Sequence, residues 1–317
     1  MGHGLRIPTR NDGRRLPQRD GGPGGMRTIA ILTGRNLRLF FRDRAGVFFS
    51  LLSALILIAL YALFLGNLQV DNLTERFPDA ASSDIHWFVN AWVFAGITMI
   101  TTLTTALAAL TVFVDDRASG RFSDFLVSPI RRVELILGYL LSSFLISLSM
   151  TVVILAVGQV YLLTQGSPMM TASEAAETLG YVALSSVAFA ALSSFVVTFL
   201  RTAGAFAALS TVVGTVIGFL AGAYIPVGTL PDGIVNGINA LPFAQSAMLI
   251  RTPMTAQALS ALAGEEGQAA DAVKAFYGIS AHVGEFEVTA GFAVAVLVAV
   301  FVVFASLGAR QLARRIR

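Results

Sequence analysis

The stretch that decides the fold is residues 115–132, DDRASGRFSDFLVSPIRR. It is a charged segment that lies between two long apolar runs in the middle of the chain. Each of these runs exceeds the roughly 20 apolar residues that a helix needs to cross a membrane. Because a polar segment in this position does not cross the hydrocarbon core, we expect a loop on one face of a membrane. The rest of the chain decides which face.

The composition is that of a membrane protein with several spans. The 317 residues are 55% hydrophobic and 13% charged, with a mean hydropathy of +0.73, whereas soluble domains carry about 25% charged residues. The chain has no cysteine, which excludes disulfides, thiolate metal sites and cysteine nucleophiles. The three histidines, His3, His86 and His282, are far apart in sequence. We interpret them as loop residues and predict no metal site.

Six apolar runs are long enough to cross a membrane, at about 47–66, 87–114, 135–163, 179–200, 205–225 and 289–308. A seventh run, 233–250, contains Pro242 and two asparagines, which favours a broken or re-entrant helix over a further crossing. Residues 1–25 have no apolar period and predict a disordered tail. The predicted fold is an all-α polytopic membrane protein over 26–317, with re-entrant or external helices between spans five and six, in segment 226–288.

The basic residues orient the predicted spans. With six spans, one side holds residues 1–46, 115–134, 201–204 and 309–317, and these segments contain 19 of the 22 Lys and Arg residues. The other side holds 67–86, 164–178 and 226–288, which contain three. Cytoplasmic loops are enriched in Lys and Arg, so we predict that both termini and the charged loop, residues 115–134, are cytoplasmic. In the external segment we expect a solvated helix or two over about 255–277.

The segment 26–43, MRTIAILTGRNLRLFFRD, is amphipathic on a helical period. Its four arginines before Asp43 fall within one arc of the helix, and a cluster of apolar residues lies opposite. A helix with arginine on one face and apolar residues on the other is typical of the membrane interface. We therefore predict an interfacial helix whose headgroup-facing residues are Arg27, Arg35, Arg38 and Arg42.

Two features limit the source of energy. The single Lys, Lys274, is followed by Ala275, whereas a phosphate-binding loop needs Lys followed by Ser or Thr. The first five predicted spans contain no Asp, Glu, His, Lys or Arg, although ion-coupled transporters and membrane-embedded transferases usually place such groups inside the membrane. We therefore expect no catalytic residue and no cofactor in this chain. If ATP drives the protein, another chain binds the ATP and Mg.

Small and hydroxyl-bearing residues are frequent in predicted spans two, four and five. Such residues allow close packing between membrane helices. They also form a weakly polar lining for an amphipathic substrate. Both interpretations are open from the sequence, and both can hold on different faces of one helix.

The charged loop combines acidic, basic and aromatic side chains. Its Gly120 permits a sharp turn, and Pro129 restarts the chain before span three. We predict that these groups contact a cytosolic partner; a solvated loop carrying cytoplasmic arginines is the alternative. The candidate contact residues are Asp115, Asp116, Arg117, Gly120, Arg121, Phe122, Asp124, Phe125, Ser128 and Pro129.

Three parts of the chain together resemble a known family. They are the Arg-rich helix entering span one, the stretch 115–132, and residues 219–244, FLAGAYIPVGTLPDGIVNGINALPFA, in which span five runs into a Pro-containing segment. From residue 26 to the C-terminus the chain is similar to the permease subunits of ABC type-2 exporters, which include bacterial drug, lipid and polysaccharide exporters. It departs from the common pattern in Asp115 and Asp116, where Glu is frequent, and in a longer segment before span six.

The resemblance implies a set of partners. The loop at 115–129 would be the coupling helix that docks on a separate ATP-binding subunit, and helix 27–42 would be a connecting helix beside it. Two permease chains, identical or different, would pair around a central path in the bacterial plasma membrane. No nucleic-acid partner is implied. The residues expected at the outer gate are Tyr224, Pro226, Pro231 and Pro242.

The resemblance also implies an activity. The chain would move a hydrophobic or amphipathic substrate, such as a drug or lipid, out of the cell with energy from the partner's ATP. The alternative is an ATPase-independent channel, scramblase or membrane sensor. A membrane-embedded lipid transferase is the weakest hypothesis, because acids and histidines are missing from the spans.

Overall fold

The computed structural model of the chain describes residues 24–122, 130–264 and 267–315. Most of the described chain is helical. The helices are α1 Gly24–Arg42, α2 Arg44–Ser50, α3 Leu52–Leu60, α4 Gly66–Arg76, α5 Ser82–Ala108, α6 Thr111–Ala118, α7 Arg132–Thr164, α8 Ala172–Val197, α9 Ala203–Leu220, α10 Asp232–Asn239, α11 Pro242–Ala263, α12 Gln268–Phe276 and α13 Ala290–Arg315. A π-helical turn, Tyr61–Leu65, joins α3 to α4, and a 3₁₀ turn, Val227–Thr229, precedes α10.

Six of these helical segments are long and apolar enough to cross a membrane, and we number them spans one to six. They are Leu52–Arg76, Ser82–Ala118, Arg132–Thr164, Ala172–Val197, Ala203–Leu220 and Ala290–Gln311. The prediction of an all-α polytopic membrane protein is thereby confirmed. The helices α10 and α11 pass the same test as a pair, but they are bent by 84° relative to each other. They form the broken or re-entrant segment that the proline and asparagines indicated.

Several helix ends differ from the ends of the apolar runs. Span one continues as helix to Arg76, well past Gly66, and span two extends from Ser82 to Ala118 with a break at residues 109–110. Helical hydrogen bonds continue through polar residues, so the end of an apolar run does not mark the end of a helix. Span five ends earlier than its apolar run, because Gly222 turns the chain with a φ of +59°.

A short β-hairpin precedes span six, and the sequence analysis did not predict it. Strand β1, Ala281–Val283, pairs antiparallel with β2, Phe286–Val288, with Ala281 opposite Val288. The two-residue turn between the strands begins with Gly284, which has a φ of +61°. Glycine adopts this left-handed conformation without the penalty that a side chain adds.

Span two is the centre of the bundle. In its most apolar window 78% of the residues are buried, against 24%, 17% and 11% for spans one, five and six. Span two packs against spans three and four and against α11. Spans one, five and six therefore present most of their surface to lipid or to another chain.

The segment expected to be a solvated helix or two over 255–277 packs one face against the bundle. Thr255, Ala258 and Leu259 in α11 are buried, and so are Val273 in α12 and Tyr277 after it. The expectation of solvation therefore holds for only part of the segment, since Gln268, Asp271 and Ala275 of α12 are exposed. Alanine is compatible with a solvated surface and with a close helix contact alike, and here α11 lies against spans two and four.

Candidate functional site

A cluster of charged side chains lies where the charged loop leaves span two. Its centre is Asp116, which is 0% exposed. The Arg35 guanidinium in α1 donates to both Asp116 carboxylate oxygens, at 2.7 and 2.8 Å, and the Tyr139 hydroxyl in span three donates at 2.6 Å. Arg121 adds a second cation, with its Nη1 3.4 Å from Oδ1 of Asp116. The bidentate pair is the strong form of an arginine–carboxylate contact and joins α1 to span two, while the Tyr139 hydrogen bond adds span three.

The ion pair keeps Arg35 charged. The hydrogen bond to Asp116 raises the pKa of Arg35, and the negative charge of that carboxylate acts in the same direction, while partial burial opposes both. Arginine is already protonated at physiological pH. The cluster therefore does not titrate through Arg35 near neutrality.

Helix α1 is held against span three by a narrow inward face. Leu32, Asn36 and Phe40, spaced four apart, are buried along this face. The Asn36 amide donates to the Ser142 hydroxyl at 3.3 Å. A Cβ at Gly138 would lie 2.8 Å from Cβ of Leu32, so only glycine allows this approach. The close contact places Arg35 within reach of the end of span two.

The arginines predicted to face lipid headgroups do not share one environment. Arg27, Arg38 and Arg42 are exposed, whereas Arg35 is turned inward to Asp116. This corrects the expectation that all four arginines face the headgroups. Arg35 lies at the edge of the arginine arc, where a helical period alone does not separate an exposed residue from one that reaches a buried carboxylate.

Two further contacts fix the start of the charged loop. Arg117 donates to the carbonyls of Thr198 and Leu200, both at 2.9 Å, where span four ends. The last carbonyls of a helix lack partners within the helix and carry partial negative charge, so a cation is favourable there. Phe122 packs edge-on against Phe113, with ring centroids 5.5 Å apart. The loop therefore begins from a rigid base made of spans two, three and four.

The predicted loop residues divide into inward-facing, exposed and undescribed ones. Asp116 is directed into the bundle, which corrects the expectation that its carboxylate is offered to a partner. Neighbouring residues of a helix point about 100° apart, so Asp115, Gly120 and Arg121 are exposed while Asp116 is not. Gly120 makes the turn with a φ of +77°. The remaining candidates, Asp124, Phe125, Ser128 and Pro129, lie outside the described residues.

The three prolines predicted for an outer gate each stand at a helix start. Pro226 precedes the 3₁₀ turn, Pro231 precedes α10, and Pro242 is the first residue of α11. Pro242 suits its position because its fixed φ fits the first turn of a helix and its missing N–H leaves no donor unpaired. Pro226 and Pro231 lie one residue earlier, in extended backbone that proline also adopts. These prolines therefore set the directions of the short helices between spans five and six.

Tyr224, the fourth predicted gate residue, folds back over the end of span five. Its hydroxyl donates to the Gly214 carbonyl at 3.2 Å. A Cβ at Gly218 would lie 2.2 Å from Cζ of the Tyr224 ring, so the ring occupies the space of a missing side chain. Tyr61 of span one reaches the same backbone, donating to the Tyr224 carbonyl at 3.3 Å. Spans one and five thus meet at Tyr224.

A groove of about 880 Å³ runs between spans one and five, with span two as its floor. Its walls are mostly apolar, and none of the residues that line it is charged. Thr104 and Ser210 are among the lining residues, and their hydroxyl oxygens are buried with no hydrogen-bond partner among the described residues. By contrast, Thr98, Thr101 and Thr105 each donate to the carbonyl four residues earlier in span two. Hydroxyl groups on span two therefore mostly bond back to their own helix, and Thr104 beside the groove does not.

The structure also shows a buried cation within the predicted external segment, residues 226–288. Arg251 in α11 is 1% exposed. Its guanidinium donates to the carbonyls of Ala221 at 2.9 Å, Gly222 at 2.7 Å and Gly278 at 3.3 Å, and lies 5.3 Å from the Trp92 ring centroid. The only sequence signal was a single arginine directly after an apolar run.

Ligands for a metal do not come together in the parts of the chain that the structure describes, since no three His, Asp or Glu side chains there form such a group. The site is thus a set of helix contacts around Asp116 on one side of the bundle, together with a groove between spans one and five.

A comparison with protein families matches residues 27–252 to the family described as ABC-2 type transporter. The match begins in α1, includes the Asp116 cluster and the groove, and ends within α11. No curated protein matches the chain. Because the family match covers more than half of the chain and six segments are fit to cross a membrane, the protein is a multi-pass membrane protein that belongs to the ABC-2 type transporter family.

Proposed function

We propose that this chain is the permease subunit of an ATP-driven exporter in the bacterial plasma membrane, with both termini cytoplasmic. A separate ATP-binding chain binds the ATP and Mg. The observation that carries this proposal is the buried Asp116 cluster at the base of the charged loop. Together with the Arg117 contacts it joins the loop to α1 and to spans three and four, so a push on the loop moves these elements together.

The groove supports the choice of substrate. A groove of about 880 Å³ accommodates a molecule of drug or short lipid size. Its walls carry hydroxyls but no charge to pair with an ionic ligand. We therefore propose a hydrophobic or amphipathic substrate, such as a drug or lipid.

A second permease chain, identical or different, completes the path. Spans one and five bury little of their surface within this chain, and the groove opens between them. In this arrangement ATP binding draws the two charged loops together, and the spans attached to them shift as rigid bodies.

Site-specific cross-linking tests the proposed docking. The chain has no cysteine of its own, so a single introduced thiol is unique. Ser119→Cys places one beside the Asp116 cluster, and Ser83→Cys, the matched control, places one at the opposite end of span two; both serines are exposed. We expect a cross-link to the co-purified ATP-binding chain from Ser119→Cys and none from Ser83→Cys. Equal cross-linking from both variants, or none from Ser119→Cys, contradicts the docking assignment.

A further inference from the structure

The guanidinium of Arg251 is buried and is held by backbone carbonyls. Among the described residues it forms no ion pair, although it is almost completely buried. A buried cation is costly unless hydrogen bonds replace its water. Three backbone carbonyls, of Ala221, Gly222 and Gly278, supply these bonds to the two Nη nitrogens, whereas Nε is buried without a partner in the part of the chain that the structure describes. The outer end of the guanidinium is therefore the part that this position holds.

The three carbonyls come from two separate parts of the chain. Ala221 and Gly222 directly follow the last residue of span five, and their carbonyls lie at its C-terminal end. Gly278 lies in the turn after α12. Because Arg251 itself belongs to α11, one side chain bridges span five, α11 and the segment after α12. The partial negative charge at the end of span five favours a cation at this place.

Two glycines shape the site. Gly222 and Gly278 have φ values of +59° and +65°, in the left-handed region that favours glycine. A Cβ at Gly278 would lie 2.9 Å from Nη1 of Arg251, and a Cβ at Gly222 would lie 2.5 Å from Cγ1 of Val227. Both turns thus need glycine for their conformation and for the close approach of their neighbours.

An aromatic pair links the site to span two. The Arg251 guanidinium carbon lies 5.3 Å from the Trp92 ring centroid, within the range of a cation–π contact. The Trp92 indole N–H donates to the Tyr277 carbonyl at 2.8 Å, and the two rings pack edge-on with centroids 5.1 Å apart. Arg251 is therefore anchored to the centre of the bundle and not only to loops.

We propose that Arg251 is a positioning residue that holds closed the end of the groove farthest from Asp116. Two of its acceptors, Ala221 and Gly222, lie in the chain between Phe219 and Tyr224. The side chains of Phe219 and Tyr224 line the groove. Fixing the two carbonyls fixes the chain that carries Tyr224. When the guanidinium loses these carbonyls, the turn after span five separates from α11 and the groove opens at that end. The consequence for export rests on the proposed function, whereas the closure itself does not.

A buried reporter thiol tests the closure directly. Val227 is 3% exposed and lies against the two glycine turns, so Val227→Cys gives a single thiol inside the closed site. We compare its rate of reaction with a water-soluble maleimide in the purified chain, with Arg251 intact and with Arg251→Met or Arg251→Lys. Met removes every donor, and we expect labelling about tenfold or more faster, as for loss of buried hydrogen bonds. Lys keeps the charge and three donors but not the fork that reaches both turns, so its rate should be intermediate.

A second reporter separates local opening from unfolding. Ser143 is buried in span three near the Asp116 end of the bundle, and its hydroxyl donates to the Ala106 carbonyl. Ser143→Cys should react at the same slow rate with and without Arg251→Met. Faster labelling at residue 227 alone supports the proposal. Unchanged labelling at residue 227, or equally faster labelling at both residues, overturns it.

The complex with the ATP-binding chain gives a second readout. The probe is a fluorescent lipophilic dye. We expect Arg251→Met to keep at least about half of the ATP hydrolysis, because the Asp116 cluster is intact. Export of the dye per ATP should fall about tenfold, because the end of the groove farthest from Asp116 is no longer held closed. Arg251→Lys should restore part of the export. If the unaltered chain exports nothing with ATP, the proposed function fails, and the thiol labelling still decides the role of Arg251.

Discussion

Replacing Asp116 by Asn removes the negative charge from the centre of the cluster while keeping the shape of the side chain. The Asn oxygen still accepts a hydrogen bond from Tyr139, but Arg35 loses its counterion. Removing one partner of a buried ion pair costs about 3–5 kcal/mol. The Arg35 side chain is 29% exposed and keeps some water, and the exposed Arg121 pair adds at most about 1 kcal/mol. We therefore expect Asp116→Asn to lower the free energy of unfolding by about 2–3 kcal/mol.

Unfolding of the purified chain in detergent measures this loss. Asp115→Asn is the matched control, because it makes the same change one residue away at an exposed position. Exposed substitutions of this kind usually change stability by less than about 0.5 kcal/mol. A double-mutant cycle with Arg35→Met isolates the pair, and its coupling energy should be about 2 kcal/mol.

Two results would refute the assignment. If Asp115→Asn destabilises the chain as much as Asp116→Asn, burial of the carboxylate is not the source of the effect. If the losses from Arg35→Met and Asp116→Asn simply add within about 0.5 kcal/mol, the two side chains are not coupled. In either case the charged loop is not anchored by this ion pair.

Three further substitutions test other contacts. Gly138→Val puts a Cβ 2.8 Å from that of Leu32 and should lower the free energy of unfolding by about 1–3 kcal/mol, because α1 is pushed away from span three. The same unfolding assay measures this loss, and an unchanged free energy of unfolding would contradict the close contact. Thr104→Val removes a buried hydroxyl beside the groove that has no partner among the described residues, so stability in the same assay should not fall by more than about 1 kcal/mol. A larger loss would show that this hydroxyl is hydrogen-bonded. Arg117→Gln loses the charge-assisted hydrogen bonds to the carbonyls at the end of span four and should lower the free energy of unfolding by about 1.5–3 kcal/mol in the same assay. An unchanged free energy of unfolding would show that these bonds do not anchor the loop.

The six spans could be predicted from the sequence, because a helix that crosses a membrane needs about 20 consecutive apolar residues and such a run can be read directly from the chain. The bent pair α10 and α11 was also visible, since Pro242 and the asparagines interrupt the apolar run. Helix ends such as Arg76 of span one were not, because helical hydrogen bonding continues into polar sequence. The strands of the hairpin have three residues each, too few to show an alternating pattern.

The details of the site depended on which way polar residues point. Asp115 and Asp116 are chemically identical, and no apolar period distinguishes the exposed one from the buried one. Arg35 lies on the same arc of α1 as the exposed arginines. Only its contact with Asp116 distinguishes it, and Asp116 is far from Arg35 in the sequence. The partners of Arg251 are backbone carbonyls, which every residue possesses, so no residue pattern marks them.

Reconstitution into vesicles separates ATP-driven export from passive movement most directly. The chain is reconstituted alone and with its ATP-binding chain, and a fluorescent phospholipid analogue and a lipophilic dye serve as probes. We expect net movement of at least one probe only when both chains and hydrolysable ATP are present, and loss of that movement with a non-hydrolysable analogue. Equal movement of the probes by this chain alone, without ATP, would contradict the exporter assignment and favour a scramblase or channel.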